Sequence, residues 1–227
     1  MKFFLETKVT SIHADKTKFI ITLQTDSGIK SMKSDMVINA AGLYSDEIAK
    51  MINPSLNYQI DPVRGELYKY NPTNRKNISL KGMHLYPVPF FYYSDTKRIA
   101  ELPVAQLRKL LKAGKVIKTL GAHVSPLGNI VTVGPLKIFN VDKEDYTTNL
   151  KKSEDYIQKV HHLLPGLRAE DLKPHHAGIM AVLRGSTDFT IKRDDVFPNC
   201  IQLVGMDSPA WTACLAIAKE VRKLMDK

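Results

Sequence analysis

The chain has 227 residues, of which 44% are hydrophobic and 25% charged, and its formal net charge is +10 at pH 7. This size fits one large domain or two modest ones, and the absence of any run of about 18 apolar residues excludes a membrane-spanning helix. The apolar N-terminal run is too short for a signal peptide, and Cys200 and Cys214 have no metal or redox spacing. We therefore expect a cytoplasmic protein with buried, reduced thiols.

The positive charge is compatible with a solvated lysine-rich surface or with an acidic substrate or cofactor. No zinc finger, aromatic RNA-binding strand motif or glycine clamp accompanies it, so we expect no nucleic-acid partner.

The N-terminal segment predicts three strands that pair as a meander, followed by the first half of a βαβ unit. The strands are expected at residues 7–12, 18–25 and 29–33, since apolar residues alternate there and Asp26-Ser27-Gly28 forms a turn. Residues 35–39 are a short apolar run of the parallel, buried type. Ala40-Ala41-Gly42 then leads into a helix from Ser45 to Met51, and small residues at the carboxyl end of a parallel strand are typical of a ligand site.

The middle of the chain, from residue 53 to about 182, predicts an antiparallel sheet with two amphipathic helices. Strands are expected at 67–70, 83–88, 119–124 and 129–133, separated by Pro and Gly turns. The helices are expected at 103–113 and at 153–164, the second capped by Ser153.

The C-terminal quarter predicts a buried strand at 201–204, a glycine turn at Gly205 and a helix from Ala213 to Met225 that Ser208 caps. A glycine turn that enters a helix N-terminus favours an anion and lets a planar cofactor approach the backbone. The predicted fold is therefore α/β (α+β). Residues 1–52 and 188–227 would form a partial nucleotide-binding domain, and residues 53–187 an antiparallel substrate domain.

Several segments are similar to known enzymes. Val37 to Asp46 resembles the middle of the FAD-dependent oxidoreductases of the D-amino-acid oxidase type. Further segments resemble the L-2-hydroxyglutarate dehydrogenase and oxidase branch of that family: Arg64 to Lys69, Tyr86 to Pro89, Gly121 to Ser125, Gly134-Pro135, His176 to Ile179 and Gly205 to Ala218.

The resemblance implies FAD as cofactor, in a partial Rossmann-like domain, and a small acidic metabolite as substrate. The residues expected to hold the cofactor are Ala41, Gly42, Gly205, Asp207, Ser208, Pro209, Ala210, Trp211 and Thr212. None of the 12 glycines forms the family's Gly-x-Gly-x-x-Gly turn. We therefore expect the cofactor grip to require a missing N-terminal half or a partner subunit, and the strand at 36–40 to leave an unpaired edge.

The resemblance also indicates catalytic candidates. His123 matches the family's histidine in the corresponding strand and could take the hydroxyl proton, with His84 as an alternative. Arg64 could bind a carboxylate, or could instead form a salt bridge with Glu66 or Asp61. The family's usual arginine after the 177–179 segment is Met180 here, which leaves Arg184 as a substitute. The pairs His161-His162 and His175-His176 lack metal-ligand spacing, so no metal is expected.

Three functions remain open. The chain could be a flavin-dependent 2-hydroxyacid dehydrogenase or oxidase, a non-catalytic remnant or binding module, or an amino-acid or glycerol-3-phosphate oxidoreductase of the same fold.

Overall fold

The structure is a computed structural model that describes residues 2–15, 17–72, 80–88, 90–93, 103, 105–106, 109–110, 113, 116–119, 121–148, 151–186 and 188–226. The chain divides into two compact units. Unit 1 comprises Met1–Asp61, Ala181–Arg184 and Asp188–Lys227, and unit 2 comprises Pro62–Met180 and Gly185–Thr187. Among the described residues, no helix is long and apolar enough to cross a membrane.

Unit 1 begins with the antiparallel meander that the alternation predicted. Its strands are β1 (Lys8–Ala14), β2 (Phe19–Thr25) and β3 (Gly28–Ser34), in the order β1-β2-β3. Phe19 is almost fully buried and packs with Ile12 and Ile52. Ile52 belongs to helix α1 (Ser45–Ile52), so the meander and this helix share one core.

The second sheet of unit 1 is mixed. It contains β4 (Val37–Asn39), β11 (Thr190–Arg193) and β12 (Cys200–Val204), in the order β11-β12-β4. β11 pairs with β12 in the antiparallel direction and β12 pairs with β4 in parallel. Helix α3 (Ala210–Met225) packs on one face through Val221, which contacts Ile201 and Leu203.

Unit 2 is built mainly on an antiparallel sheet. Four strands lie in the order β10-β5-β9-β8, where β5 is Ile60–Tyr70, β8 is His123–Leu127, β9 is Ile130–Ile138 and β10 is Lys173–Leu183. A separate pair joins β6 (Phe90–Tyr93) to β7 (Val116–Thr119). Helix α2 (Ser153–Val160) supplies Tyr156 and Val160 to the core, where they are fully buried.

Some predicted elements differ in the structure. Residues 83–88 form no strand; Leu85 alone pairs, with Val124. The expected strand 119–124 is split between β7 and β8. Helix α2 ends at Val160 rather than residue 164, and Lys152, not Ser153, is its N-cap residue. The expected helix at 103–113 lies partly outside the described residues, and its described positions 105–106 and 109–110 are helical.

Candidate functional site

The carboxyl ends of two parallel strands meet at one edge of unit 1. β12 and β4 pair in register, with Ile201 opposite Ile38 and Gln202 opposite Asn39. Parallel neighbours lie about 4.8 Å apart, so the Ala40-Ala41-Gly42 turn runs beside the end of β12. This edge therefore brings Ala41 and Gly42 near the turn that starts at Gly205, and these are two of the segments that the sequence analysis expects to hold the cofactor.

The two glycines at this edge have different surroundings. Gly42 has φ +58°, and a Cβ built on it meets nothing within 4 Å, so the space beside this turn is open. Gly205 has φ +75°, and a Cβ there would lie 2.7 Å from the Cβ of Leu183. Gly205 is thus required for packing as well as for the left-handed turn, and only the Gly42 side leaves room for a planar group against the backbone.

The start of α3 differs from the expected capping. Pro209 is the N-cap residue and no side chain caps the helix, so the prediction that Ser208 caps it is wrong. The Asp207 carbonyl accepts the Ala210 N–H at 2.7 Å. The exposed first turn, which includes Trp211 and Thr212, retains N–H groups that an α-helix leaves without intrahelical partners. Such N–H groups favour negative charge nearby.

Beneath the edge lies a buried polar network that the sequence analysis did not find. The Asn39 amide donates to Gln202 Oε1 at 2.8 Å and to the Ser45 carbonyl at 2.7 Å. Gln202 in turn donates to Asp194 Oδ2 at 3.1 Å, and Asn53 donates to Asp194 Oδ1 at 2.9 Å. Burial works to raise the pKa of Asp194, but these bonds and two backbone N–H bonds outweigh it and lower the pKa below 3.8. Asn39 Oδ1 also accepts the Ala41 N–H, so the network holds the exposed turn in place.

In unit 2, His123 is the first residue of β8 and is partly buried. Its ring stacks on Tyr86, with ring centroids 4.5 Å apart and planes 23° apart. Burial lowers the pKa of His123, as does the nearby charge of His84, while the hydrogen bond with the Gly121 carbonyl raises it. His123 is therefore a largely neutral imidazole at pH 7, which is the form that a proton acceptor requires.

Arg64 is fully buried in β5, and its partners differ from those expected. Nη1 donates to Thr147 Oγ1 at 2.6 Å and forms an ion pair with Asp145. The alternative pairing of Arg64 with Asp61 is wrong, because Asp61 instead pairs with the exposed Arg184. Nε and Nη2 of Arg64 are buried and have no hydrogen-bond acceptor among the described residues. Its guanidinium therefore retains unused donors.

The catalytic candidates share unit 2 but do not all meet. His84 lies next to Tyr86, which joins it to His123. On β9, by contrast, His123 faces Gly134 whereas Arg64 faces Ile138. Four residues along a strand is about 13 Å, so Arg64 and His123 do not contact each other.

Four further histidines form two adjacent pairs. The rings of His161 and His162, and those of His175 and His176, meet edge to face. No group of three or more His, Cys, Asp or Glu side chains within the described part of the chain could hold a metal ion.

Residues 1–224 match the family described as DAO, FAD dependent oxidoreductase. The chain belongs to this family. The resemblance found in the sequence is confirmed, because L-2-hydroxyglutarate dehydrogenases are among the relatives. Glycerol 3-phosphate oxidases, however, match about equally well.

Two curated members of the FAD-dependent oxidoreductase family illustrate this. The chain is 26% identical over 223 residues to "Glycerol 3-phosphate oxidase" of Mycoplasma pneumoniae, covering 97% of this chain and 50% of that protein. It is 28% identical over 244 residues to "L-2-hydroxyglutarate dehydrogenase" of Indibacter alkaliphilus, covering 96% of this chain and 56% of that protein. The chain thus spans about half the length of the curated relatives it matches.

A solved structure of the family shares the fold. It is the dithionite-reduced L-alpha-glycerophosphate oxidase from Mycoplasma pneumoniae with FAD bound, at a TM-score of 0.67 and 22% identity, covering 97% of this chain and 50% of that one. The mixed α/β architecture with antiparallel sheets, predicted from the sequence, is confirmed by this similarity.

Proposed function

We propose that the protein is the substrate-bearing part of an FAD-dependent oxidoreductase that oxidises a 2-hydroxy acid of the L-2-hydroxyglutarate type. The observation that carries this is the partly buried His123, stacked on Tyr86, in a chain of the FAD-dependent oxidoreductase family. Bound FAD supplies the acceptor for the electron pair that leaves carbon 2 of the substrate with its hydrogen.

The cofactor-binding residues are those at the edge of unit 1. Ala41 and Gly42 line the open turn after β4, and the segment from Gly205 and Asp207 to Thr212 forms the turn and the first residues of α3. The open space beside Gly42 supports this assignment, because a flat ring system needs close access to backbone. The α3 N-terminus favours a group that becomes negatively charged on reduction.

His123 accepts the proton of the substrate hydroxyl while carbon 2 is oxidised. Its ring nitrogen needs no prior deprotonation at pH 7, because burial lowers its pKa. His84 is exposed and less enclosed, which makes it the weaker candidate for this step.

Arg64 binds the substrate carboxylate in this proposal, and its unused Nε and Nη2 support that role. The side chain is fully buried behind Asp145 and Thr147. A carboxylate therefore reaches it only when the segment that carries these two residues moves aside.

Glycerol 3-phosphate is the second candidate substrate. Similarity to the Mycoplasma pneumoniae glycerol 3-phosphate oxidase supports this candidate, because that protein is about as similar to this chain as the L-2-hydroxyglutarate dehydrogenases are. Both substrates are anionic secondary alcohols, so His123 has the same task in either reaction.

We further infer that the FAD site is completed by protein beyond this chain, either a missing N-terminal half or a partner subunit. β4 is the edge strand of its sheet, and Ile38 on it is 42% exposed. Trp211 and Leu215, one turn apart on α3, are 91% and 77% exposed. An apolar side chain exposed on an edge strand favours a docked polypeptide, and the exposed residues of α3 offer a second apolar surface.

The test combines cofactor loading with substrate choice. The chain is mixed with FAD, alone and together with the part of the Indibacter alkaliphilus dehydrogenase that it does not span. Bound flavin is then measured by absorbance after gel filtration. Loaded protein is mixed anaerobically with L-2-hydroxyglutarate, D-2-hydroxyglutarate or glycerol 3-phosphate, and bleaching of the flavin band is followed.

We expect bleaching by L-2-hydroxyglutarate only. The His123→Gln variant should retain FAD and bleach about 10²–10⁴-fold more slowly, the usual contribution of a general base. Bleaching by glycerol 3-phosphate alone would show that the second candidate, not L-2-hydroxyglutarate, is the substrate. Loaded protein that none of the three substrates bleaches would overturn the proposed function.

A further inference from the structure

Three aromatic rings form a consecutive stack next to β8. His84 and Tyr86 have ring centroids 6.3 Å apart and planes 21° apart, and Tyr86 and His123 have centroids 4.5 Å apart and planes 23° apart. The Tyr86–His123 distance lies within the usual range for offset stacking, whereas the His84–Tyr86 contact is looser. Tyr86 is thus the ring in direct contact with the candidate base.

The backbone fixes this stack. Leu85 lies between His84 and Tyr86 in the sequence. Its N–H donates to the Val124 carbonyl at 2.9 Å, and its carbonyl accepts the Val124 N–H at 2.9 Å. Val124 follows His123 and is fully buried. This isolated bridge therefore sets the register of residues 84–86 against β8, and a stack held by paired backbone bonds is a built feature rather than a contact of two free side chains.

The stack also limits how His123 can be approached. Tyr86 covers one face of the imidazole, so a substrate hydroxyl must meet it at an edge. Nδ1 of His123 lies 3.5 Å from the Gly121 carbonyl, which favours the proton on Nδ1 and leaves the lone pair on Nε2. The nitrogen available as proton acceptor is thus Nε2.

Among the described residues, few ionisable groups lie close to His123. From the 84–86 segment it meets the charge of His84 and the ring of Tyr86, and from β9 its register partner is Gly134, which has no ionisable group. A positive charge on His84 opposes protonation of His123, and the burial that Tyr86 helps to provide acts in the same direction.

We propose that Tyr86 is a positioning residue of the reaction, whose ring holds the His123 imidazole in the orientation that presents Nε2, with His84 as the outer member of the same stack. The catalytic role of Tyr86 rests on the proposed function. The stack itself can be tested without any turnover. In the reaction, Nε2 takes the hydroxyl proton, the carbon–oxygen bond becomes a carbonyl, and the hydride goes to the oxidised flavin of the proposed function.

The experiment is an NMR titration of the full chain with ¹⁵N- and ¹³C-labelled histidine. The chain has seven histidines, and the His123 signal is assigned by its loss in His123→Gln. Wild type is compared with Tyr86→Phe, which keeps an aromatic ring, with Tyr86→Leu, which removes it, and with His84→Gln. His162→Gln, at an exposed position, is the matched histidine control.

We expect the ring protons of His123 to show an upfield ring-current shift in wild type and Tyr86→Phe that is lost in Tyr86→Leu. The His123 pKa should rise in Tyr86→Leu, because water gains access, and in His84→Gln, because a repelling charge is removed. It should stay unchanged in Tyr86→Phe and His162→Gln. In loaded enzyme, the acidic limb of the pH profile of kcat/KM should move up with the His123 pKa.

A structural role alone would lower stability in Tyr86→Leu without moving the His123 resonance or its pKa, and that result overturns the proposal. If Tyr86→Leu does not fold, the test is made on the wild-type chain instead. The absence of a nuclear Overhauser effect between the rings of Tyr86 and His123 would then overturn the proposal. A flavin that no substrate reduces refutes the proposed function but leaves the ring stack measurable.

Discussion

Replacement of Asp194 by asparagine tests whether the buried polar network supports the candidate cofactor edge. Asp194 is 2% exposed and accepts four hydrogen bonds, from the Val196 and Phe197 N–H groups, from Asn53 and from Gln202. Three of these bonds reach Oδ1 and one reaches Oδ2. An asparagine would therefore place its amide nitrogen at the Oδ2 position, opposite the Gln202 donor.

The mismatch cannot be relieved by turning the neighbouring amides. If the Gln202 amide flips so that its oxygen accepts from the new amide at position 194, its NH₂ group then faces the Asn39 NH₂ group. Two donors would then face each other. Asn39 cannot turn as well, because its Nδ2 donates to the Ser45 carbonyl and its Oδ1 accepts the Ala41 N–H. One buried donor stays unsatisfied, and three bonds to a charged acceptor become neutral ones. Together these changes cost about 2–4 kcal/mol of unfolding free energy.

The assay is urea unfolding at pH 7, with native-state hydrogen exchange of the β12 amides as a local probe. The matched control is Asp195→Asn, since within the described part of the chain that exposed carboxylate forms an ion pair with Lys192 alone, and the change should alter stability by about 1 kcal/mol or less. The folded pKa of Asp194 lies below its unfolded value of 3.8, so its contribution is present above that pH and is lost as pH falls through the folded pKa. The stability difference should therefore persist from pH 5 to 8 and narrow below about pH 3.8. Equal stability of the two variants at pH 7 would refute the network argument.

Three further changes test other parts of the structure. Gly205→Ala should lower the urea midpoint more than Gly82→Ala, because both glycines have positive φ but only Gly205 would place a Cβ against Leu183; equal effects would contradict the packing reason for Gly205. Iodoacetamide at pH 8 should alkylate only Cys214 in the folded chain, as counted by intact mass, since Cys200 is buried and its pKa is raised to about 12; rapid double labelling would show that unit 1 opens. Arg64→Met should cost about 1–3 kcal/mol in urea unfolding because it strips Asp145 and Thr147 of their partner. Arg184→Met loses only exposed contacts, with Asp61 and Gln59, and should stay within about 1 kcal/mol.

Local sequence signals were sufficient where an element is determined by its own residues. The meander follows from alternation around Phe19 and from the Asp26-Ser27-Gly28 turn, and α1 begins at Ser45 as expected. The expected strand at 83–88 does not form, for a local reason. Pro87 has no N–H to donate, so this segment pairs only at Leu85.

Contacts between distant residues could not be predicted in the same way. The bond from Asn39 to Gln202 joins residues 163 positions apart, and no periodicity in either segment indicates it. The sequence indicates Arg64 as a candidate cation, but its partners lie 81 and 83 positions further along the chain, and the sequence analysis could name only nearby carboxylates as alternatives. A buried charge selects its partner by the geometry of the folded chain, which sequence proximity does not encode.

The open edge of unit 1 and the candidate cofactor edge belong to the same strand, so their occupancy should be coupled. Ile38 and Ile201 are register partners and point to the same face of the sheet, where α3 buries Ile201 and leaves Ile38 exposed. A polypeptide that pairs with β4 and covers Ile38 would also fix the Ala41-Gly42 turn at the end of that strand. FAD affinity should then rise when the unspanned part of the Indibacter alkaliphilus dehydrogenase is added, and Ile38→Lys should reduce that rise while leaving the unfolding free energy of the chain alone nearly unchanged. Ile20→Lys, at a meander position that is also 42% exposed, is the control and should leave the rise intact. Equal FAD affinity with and without the added polypeptide, measured by flavin fluorescence, would show that the exposed face of this sheet does not take part in cofactor binding.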